Sequence, residues 1–343
     1  MKWQSDSTMV KYEDSSSCCT HSTSWKVIFS WKKITLTLIT VLAGGTGSIK
    51  IIRGLASMKQ DLHIISNVAD NIWLHGLYIC PDIDTALYGL ANQLDKQKGW
   101  GLENDTFNFL SQMKSLGQDT WFKVGDRDLS THLLRTNMLN GGKKLTEITD
   151  WMRKKYRVSS KILPASDDHI ETRIVTDLGE MHIQEFWVKH RGEPQVMDII
   201  YAGKEIAQSN PEALYAIEQS DLIVIAPANP ITSIGPIISL GLLGDKLRQN
   251  KEKAVAISPL IKNDALSGPA VKYMQAMKIM NSPLGVAKYY SEFISKFIIS
   301  PIDCNLEDKI ASLGLKVYQT NIVMSDKSDE IRLGQYLIEQ FKM

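Results

Sequence analysis

Cysteine is scarce in this chain. Four occur in 343 residues (Cys18, Cys19, Cys80 and Cys304), and none stands in a Cys-x-x-Cys pair. Zinc-ribbon and thioredoxin-type motifs are thereby excluded, and the usage fits a reducing cytoplasm. Long apolar runs are missing too. The strongest, Ile34 to Leu42, falls well short of the roughly 18 residues that read as a membrane-spanning helix. Lys32 and Lys33 before it mimic the start of a signal peptide, but a glycine turn follows instead of a cleavage site. Neither charge is in surplus: 39 basic residues face 38 acidic ones, for a net charge of +1. Such a balance leaves no basic footprint for nucleic acid.

Several catalytic signatures are also absent. No Gly-Lys-Ser/Thr ends a Walker A loop, and no Gly-x-Ser-x-Gly elbow occurs. Lys50 stands where a dinucleotide fingerprint needs its third glycine, which disfavours NAD. The histidines are scattered without metal-ligand spacing.

What is present is a hydrophobic content of 43%, enough for a proper core, in an α/β pattern. Residues 1–33 are rich in serine and threonine without periodicity, and read as a flexible extension. From Ile34 a strand feeds a glycine turn, and Ile49, Ile52 and Leu55 mark one helix face. A second strand covers Leu62 to Val68. Helices are expected near 85–94, 105–116, 131–139 and 145–155, the last with Thr146 as a possible cap. Glu171 to Thr176 and Met181 to Val188 flank Asp177-Leu178-Gly179-Glu180, a hairpin pattern that makes the sheet not purely parallel. Asp221 to Ala226 and Ala254 to Ser258 are continuous apolar strands of the doubly covered kind, with Phe297 to Ser300 and Leu315 to Gln319 after them. An amphipathic helix over Ser328 to Phe341 closes the chain. The fold expected is a Rossmann-like, doubly wound, mostly parallel α/β sheet in residues 34–343. It carries a mostly helical insertion over about 85–195 and the hairpin.

Four polar segments carry the chemistry. Gly44-Gly45-Thr46-Gly47 lies where a strand hands over to a helix, so its N–H groups suit an anion. A packing turn explains a lone glycine cluster nearly as well. Asp82 and Asp84 are two apart beside Pro81; in extended chain they face one side, toward one hard cation. The plainer role is capping by Asp84 or Thr85. Gly125-Asp126-Arg127-Asp128 is a polar loop that could hold metal or phosphate or be a solvated turn, and His132 with Arg135 reads as a surface pair. Asn229-Pro230-Ile231-Thr232-Ser233-Ile234-Gly235-Pro236 follows a buried strand, at the sheet edge where ligands of open α/β sheets bind. Asn229 can read a base edge there, and Ser233 and the N–H groups near Gly235 can approach phosphate. Ser258-Pro259 ends the next strand alike, and Ser267-Gly268-Pro269 could start the helix after it. Trp73, Trp100 and Trp121 lie near these motifs and could stack on a flat ring or simply fill core.

Together these motifs, with Trp73-Leu74-His75-Gly76, Gly99-Trp100-Gly101, Asn104-Asp105-Thr106, Thr131-His132, Leu163-Pro164 and Ser166-Asp167-Asp168, resemble the 2-phospho-L-lactate transferase family of coenzyme F-420 biosynthesis. The match runs from about Thr37 to the C-terminus. The resemblance implies attack by the ribityl hydroxyl of a deazaflavin precursor on the β-phosphorus of a lactyl or enolpyruvyl diphosphoguanosine, releasing GMP. It implies magnesium, held by Asp82 and Asp84, and a homodimer. It implies that Asp84 and Lys123 contact the deazaflavin, and that the loops at Gly44 and Asn229 serve the nucleotide and phosphate side. Lys123 or Arg127 would neutralise charge. The family's hydroxyl and second carboxylate after the second strand are missing from Asn67-Val68-Ala69-Asp70-Asn71, so their work falls to Asp70, Asp82 or Asp84. Ala228 replaces the family's serine before Asn-Pro. A related family of gluconeogenesis factors, which bind nucleotide-sugars and regulate without transferase chemistry, is the competing class.

A chain beginning at Ile34 should keep its melting temperature and turnover, because a serine-rich segment without apolar period rarely orders itself. A truncated protein that folds but no longer binds deazaflavin would contradict this.

Overall fold

The computed structural model describes residues 3–8, 28–33, 37–266 and 269–341. Two units separate, Met1–Leu36 and Thr37–Met343. In the first, Trp3–Thr8 pairs antiparallel with Ile28–Lys33. Most of the serine-rich stretch lies outside the described residues, as do Ser267 and Gly268.

The second unit is built on one sheet. Its strands are β1 (Leu38–Ala43), β2 (Asp61–Ser66) and β3 (Lys161–Pro164). A smaller sheet holds β4 (Glu171–Thr176), β5 (Gly179–His182) and β6 (Val196–Ala202). The main sheet resumes with β7 (Leu222–Ile225), β8 (Ala254–Ile257), β9 (Lys296–Ile299) and β10 (Lys316–Gln319). Its order is β10-β9-β8-β7-β1-β2-β3, parallel throughout. The hairpin β4–β5 leaves the main sheet and pairs with β6 instead. The expected antiparallel admixture is therefore a separate three-stranded sheet.

The central strands are apolar on both faces because helices cover both. Ile39, Val41, Ile223, Val224 and Val255 are fully buried. Thr40 is buried among them and stays satisfied: its hydroxyl bonds the Ala216 carbonyl and accepts from Ser220 Oγ at 2.7 Å. At one edge, β3 ends in Pro164, which cannot donate to a further strand; at the other, β10 is half exposed and begins with a lysine.

From β1 the chain builds outward through β2 to β3, then returns to the other side of β1 for β7 and beyond. The crevice at the carboxyl ends of β1 and β7 is the switch point where such sheets bind ligands. Helix α1 (Gly45–Ala56) leaves β1 there. Between β2 and β3 stand α2 (Pro81–Leu90), α3 (Asn108–Ser115), α4 (Asp128–Asn140) and α5 (Leu145–Lys155), with a short hairpin, Ile72–Leu74 and Leu77–Ile79. Helix α6 (Ala270–Ala276) follows β8, and α7 (Lys327–Phe341) closes the chain. No helix among the described residues is long and apolar enough to cross a membrane.

Four local expectations are corrected. Helix α5 is not capped by Thr146; its start is tied by Glu147, whose carboxylate accepts from the Lys144 N–H at 3.0 Å. The strand expected to reach Val188 stops at His182, and Glu185–Lys189 is a π-helical turn. The helix after Pro81 begins at Pro81 itself, so Asp82 and Asp84 lie inside its first turn, where the helix dipole favours carboxylates. Lys50 points off the packed face of α1 and donates to the Met324 carbonyl at 2.7 Å.

The close approach on α1 is made one turn later by Gly54 against α7. A Cβ on Gly54 would stand 2.1 Å from the Glu330 carbonyl oxygen. Arg53 and Glu330 pair across the same seam, Nε to Oε2 at 2.9 Å. Gly54→Ala should therefore cost about 1–3 kcal/mol through overpacking. Gly241→Ala, where a Cβ meets nothing within 4 Å, should be nearly neutral. Urea unfolding of both measures the difference; equal midpoints would contradict the close seam.

Candidate active site

The glycine turn is fixed by its own helix. Ser48 Oγ donates to the Gly44 carbonyl at 2.7 Å and accepts from the Gly44 N–H at 3.0 Å. Gly45 holds φ at +64°, and a Cβ on Gly44 would lie 2.8 Å from the Ser233 Cβ. Only glycines let the turn and the Asn229 loop come this close.

Asp82 ties the turn to the next strand. Its Oδ1 accepts from the Gly45 N–H at 2.7 Å, and its Oδ2 accepts from Asn67 Nδ2 at 3.0 Å. Asn67 is fully buried at the end of β2. Its amide also donates to the Thr232 carbonyl at 3.2 Å, and its Oδ1 accepts from the Ala69 N–H at 2.9 Å. One side chain thus joins three loops at the switch point. Burial raises the Asp82 pKa to about 6, against the bonds from Gly45 and Asn67. Asp70 is displaced upward as well, first by burial and then by the charge of Asp82, although Thr172 donates to it at 3.0 Å.

Asp84 faces elsewhere. On a helix, residues two apart diverge, so the shared face expected for extended chain is lost. Asp84 forms a two-pronged ion pair with Arg135, Oδ2 to Nη1 at 3.0 Å. His132 lies between carboxylates, Nδ1 3.6 Å from Asp84 and Nε2 3.3 Å from Asp128. Tyr88 donates to Asp128 at 2.6 Å. His132 and Arg135 are thus buried beneath the site, not a surface pair.

Around these groups opens a cavity of about 680 Å³. Gly44 to Gly47, Asn229 and Ser233 form one edge, and Asp70, Asp82 and Asp84 lie along it. Its walls carry Trp100, Lys123, Trp187, Arg191 and Tyr273. A basic groove of about 810 Å³ runs along α1 and shares Thr46, Gly47 and Lys98 with the cavity. Lys50, Lys96, Arg157 and Lys327 line it.

Three expected residues do not line the cavity. Arg127 is exposed and donates to the Glu103 carbonyl at 2.8 Å. Ser258 is fully buried and bonds Leu260. Gly235 makes room for Tyr201, whose hydroxyl donates to the Ile231 carbonyl at 2.5 Å. Asp126 is structural: Thr106 and the backbone at Asn108 and Phe109 hold its pKa down to about 2. Asn229 uses its carbonyl to cap its own loop, accepting from Ile231 and Thr232 N–H, and keeps its Nδ2 for other partners. Trp73 packs tilted against Tyr78 and Trp121 meets Phe122 edge-on; of the three tryptophans named from sequence, Trp100 alone lines the cavity. Asn71 is buried off the cavity, its amide donating to Tyr78 Oη at 3.2 Å.

Asn67, Tyr88, Trp187 and Arg191 were not expected. Asn67 carried a usable signal, an amide at the carboxyl end of a buried strand beside the switch point. Trp187 carried none, because a π-helical turn has no period that sequence reveals.

Among the described residues no three His, Cys, Asp or Glu side chains converge as a metal-ligand set. The donor chemistry still fits magnesium. This ion is commonly held by one or two carboxylates plus substrate phosphates, and Asp70 and Asp82, buried close enough for the charge of Asp82 to raise the Asp70 pKa, line the cavity with the glycine turn.

A family model described as 2-phospho-L-lactate transferase CofD matches residues 39–332. Proteins named 2-phospho-L-lactate transferase are similar over most of their length. That of Methanosarcina acetivorans is 39% identical over 303 residues, 88% of this chain and 98% of its own. That of Methanococcoides burtonii is 40% identical over the same shares, and that of Methanocaldococcus jannaschii 36% identical over 88% and 97%. Among solved structures, a UPF0052-family protein of Bacillus halodurans superposes with a TM-score of 0.62 at 16% identity, covering 89% of this chain and 100% of that one. At that identity it shares the fold.

Asn67→Ala should lower stability by about 1–3 kcal/mol, because it leaves a buried Asp82 oxygen without its donor. It should also loosen the glycine turn. Urea unfolding together with hydrogen exchange at Gly45 checks both; unchanged protection at Gly45 would show that the knot does not hold the turn.

Proposed function

Because this chain belongs to the 2-phospho-L-lactate transferase CofD family, we propose that its cavity joins a deazaflavin precursor to the phospholactyl or phosphoenolpyruvyl half of a diphosphoguanosine donor. The observation that carries this reading is the junction at Gly44–Gly47: an aromatic-walled cavity with four carboxylates meets a basic groove at a glycine turn that opens a helix. A donor laid across the turn has its diphosphate on the N–H groups of Thr46 and Gly47, its reactive phosphorus in the cavity and its nucleoside in the groove along α1. Asn229, which lines the cavity and caps its loop through Oδ1 alone, keeps its Nδ2 for the phosphates.

The acceptor's flat ring suits the walls bearing Trp100 and Trp187, with Lys123 and Asp84 for its polar edges. The ribityl hydroxyl oxygen forms a bond to the phosphorus next to the lactyl group. The bond from that phosphorus to the GMP oxygen breaks, and GMP departs with the electron pair. The hydroxyl proton goes to Asp70, a carboxylate whose burial raises its proton affinity. The product is a phosphodiester. Asp82, with the diphosphate oxygens, would hold magnesium, which when bound neutralises charge on the phosphates. Little covalent help is needed; positioning and charge dominate such transfers. The transferase reading is supported over a purely regulatory one because Asn71, where the relatives' acid is missing, lies off the cavity.

Incubation with deazaflavin precursor, each donor and magnesium should yield the phosphodiester and GMP by mass detection. Asp84→Ala should lower turnover at least roughly a hundredfold, as for loss of an electrostatic stabiliser. Turnover should fall on the acid side as Asp82, whose carboxyl burial pushes upward, becomes protonated and can no longer hold the cation. Nucleotide-sugar binding without turnover of either donor would overturn the proposal.

A further inference from the structure

We propose that Arg135 is a positioning residue for the acceptor, acting through Asp84 by fixing the plane and direction of its carboxylate. This rests on the reading that Asp84 contacts the deazaflavin.

Helix α4 buries a polar face: Asp128, Thr131, His132, Arg135 and Thr136. Arg135 is fully buried and is the bulkiest such side chain among the described residues. Its guanidinium spans both Asp84 oxygens, and Nη1 also donates to the Tyr78 carbonyl at 3.3 Å. Its Nε is buried without a partner. Burying this ion is costly, and one N–H of the fork is left unmatched. A buried pair of this kind contributes little net stability, since apolar replacements of similar volume often do as well. What the pair does supply is geometry. A planar fork engaging both oxygens fixes the carboxylate's rotation, which a lysine's single ammonium cannot do.

The remaining contacts close the back of the site. Arg135 Nη1 is 3.4 Å from His132 Nδ1, and His132 in turn lies between Asp84 and Asp128. Asp84 borders the cavity, whereas Arg135 does not. Arg135 therefore reaches the cavity only through the side chains it holds, Asp84 with both prongs of its fork and His132 with a single longer contact. A misplacement of a positioning group by about 1 Å can cost on the order of a hundredfold in rate, so a carboxylate free to rotate should weaken acceptor capture markedly.

The test is a double-mutant cycle with Asp84→Asn, Arg135→Gln and the pair, together with Arg135→Lys. Acceptor affinity is read by equilibrium dialysis, kcat and both KM values by product mass, and folding by melting temperature. Arg135→Gln should raise the acceptor KM about tenfold or more and leave the donor KM unchanged. In the Asp84→Asn background the same change should add less than about twofold. Arg135→Lys, which keeps the charge without the fork, should fall between and carries the test if the glutamine variant does not fold. Additive losses, or equal losses for donor and acceptor, would overturn the proposal while leaving Asp84's role intact. An Asp84→Asn protein with unaltered acceptor affinity would overturn the reading of Asp84, and the proposal with it.

Discussion

The carboxylate of Asp82 holds the switch point together. One oxygen takes the Gly45 N–H and the other takes Asn67, whose amide reaches on to the Thr232 carbonyl. Through these bonds the ends of β1, β2 and β7 share one buried knot. A parallel sheet leaves a crevice at this place by topology alone. The knot decides how wide it is and which N–H groups remain for a phosphate. Burial makes the arrangement sensitive to charge, because Asp82 and Asp70 each disfavour ionisation of the other. A cation and an anionic donor arriving together would relieve that conflict.

Two helices divide the work around the knot. The first turn of α2 sends Asp82 to the glycine turn and Asp84 to Arg135. Helix α4 meets Asp84 from behind with Arg135 and His132. The glycine turn and the buried face of α4 therefore both rest on the first turn of one helix. The outer wall is built differently. A π-helical turn presents Trp187, and Lys272 on α6 holds the segment after it by donating to the Glu193 carbonyl at 3.1 Å.

Much of the fold was legible because burial on both faces leaves an unbroken apolar run. Leu222–Ile225 and Ala254–Ile257 announce themselves in this way, and Gly44 to Gly47 marks the first strand's exit. Two strands were not legible, one at a sheet edge and one in the smaller sheet. Lys161–Pro164 is four residues ending in proline, and Val196–Ala202 alternates irregularly around a bulge. In the site, the loops at Gly44, Asp82 and Asn229 were legible from residue type and position after a strand. Arg135 was not, since three-residue spacing to His132 is equally the mark of a solvated helix face. Only packing of α4 against the Leu77–Ile79 strand puts it inside. Nor could spacing tell that Asp82 and Asp84 diverge, because that depends on whether the helix starts before or after them.

A crystal structure of the chain with deazaflavin precursor and GMP tests the central claim most directly. The account predicts the ring between the walls bearing Trp100 and Trp187, within hydrogen-bond reach of Asp84. It predicts the GMP phosphate at the Thr46 and Gly47 N–H groups and the guanosine in the groove along α1. A ring bound outside this cavity, or a phosphate held away from the glycine turn, would contradict it.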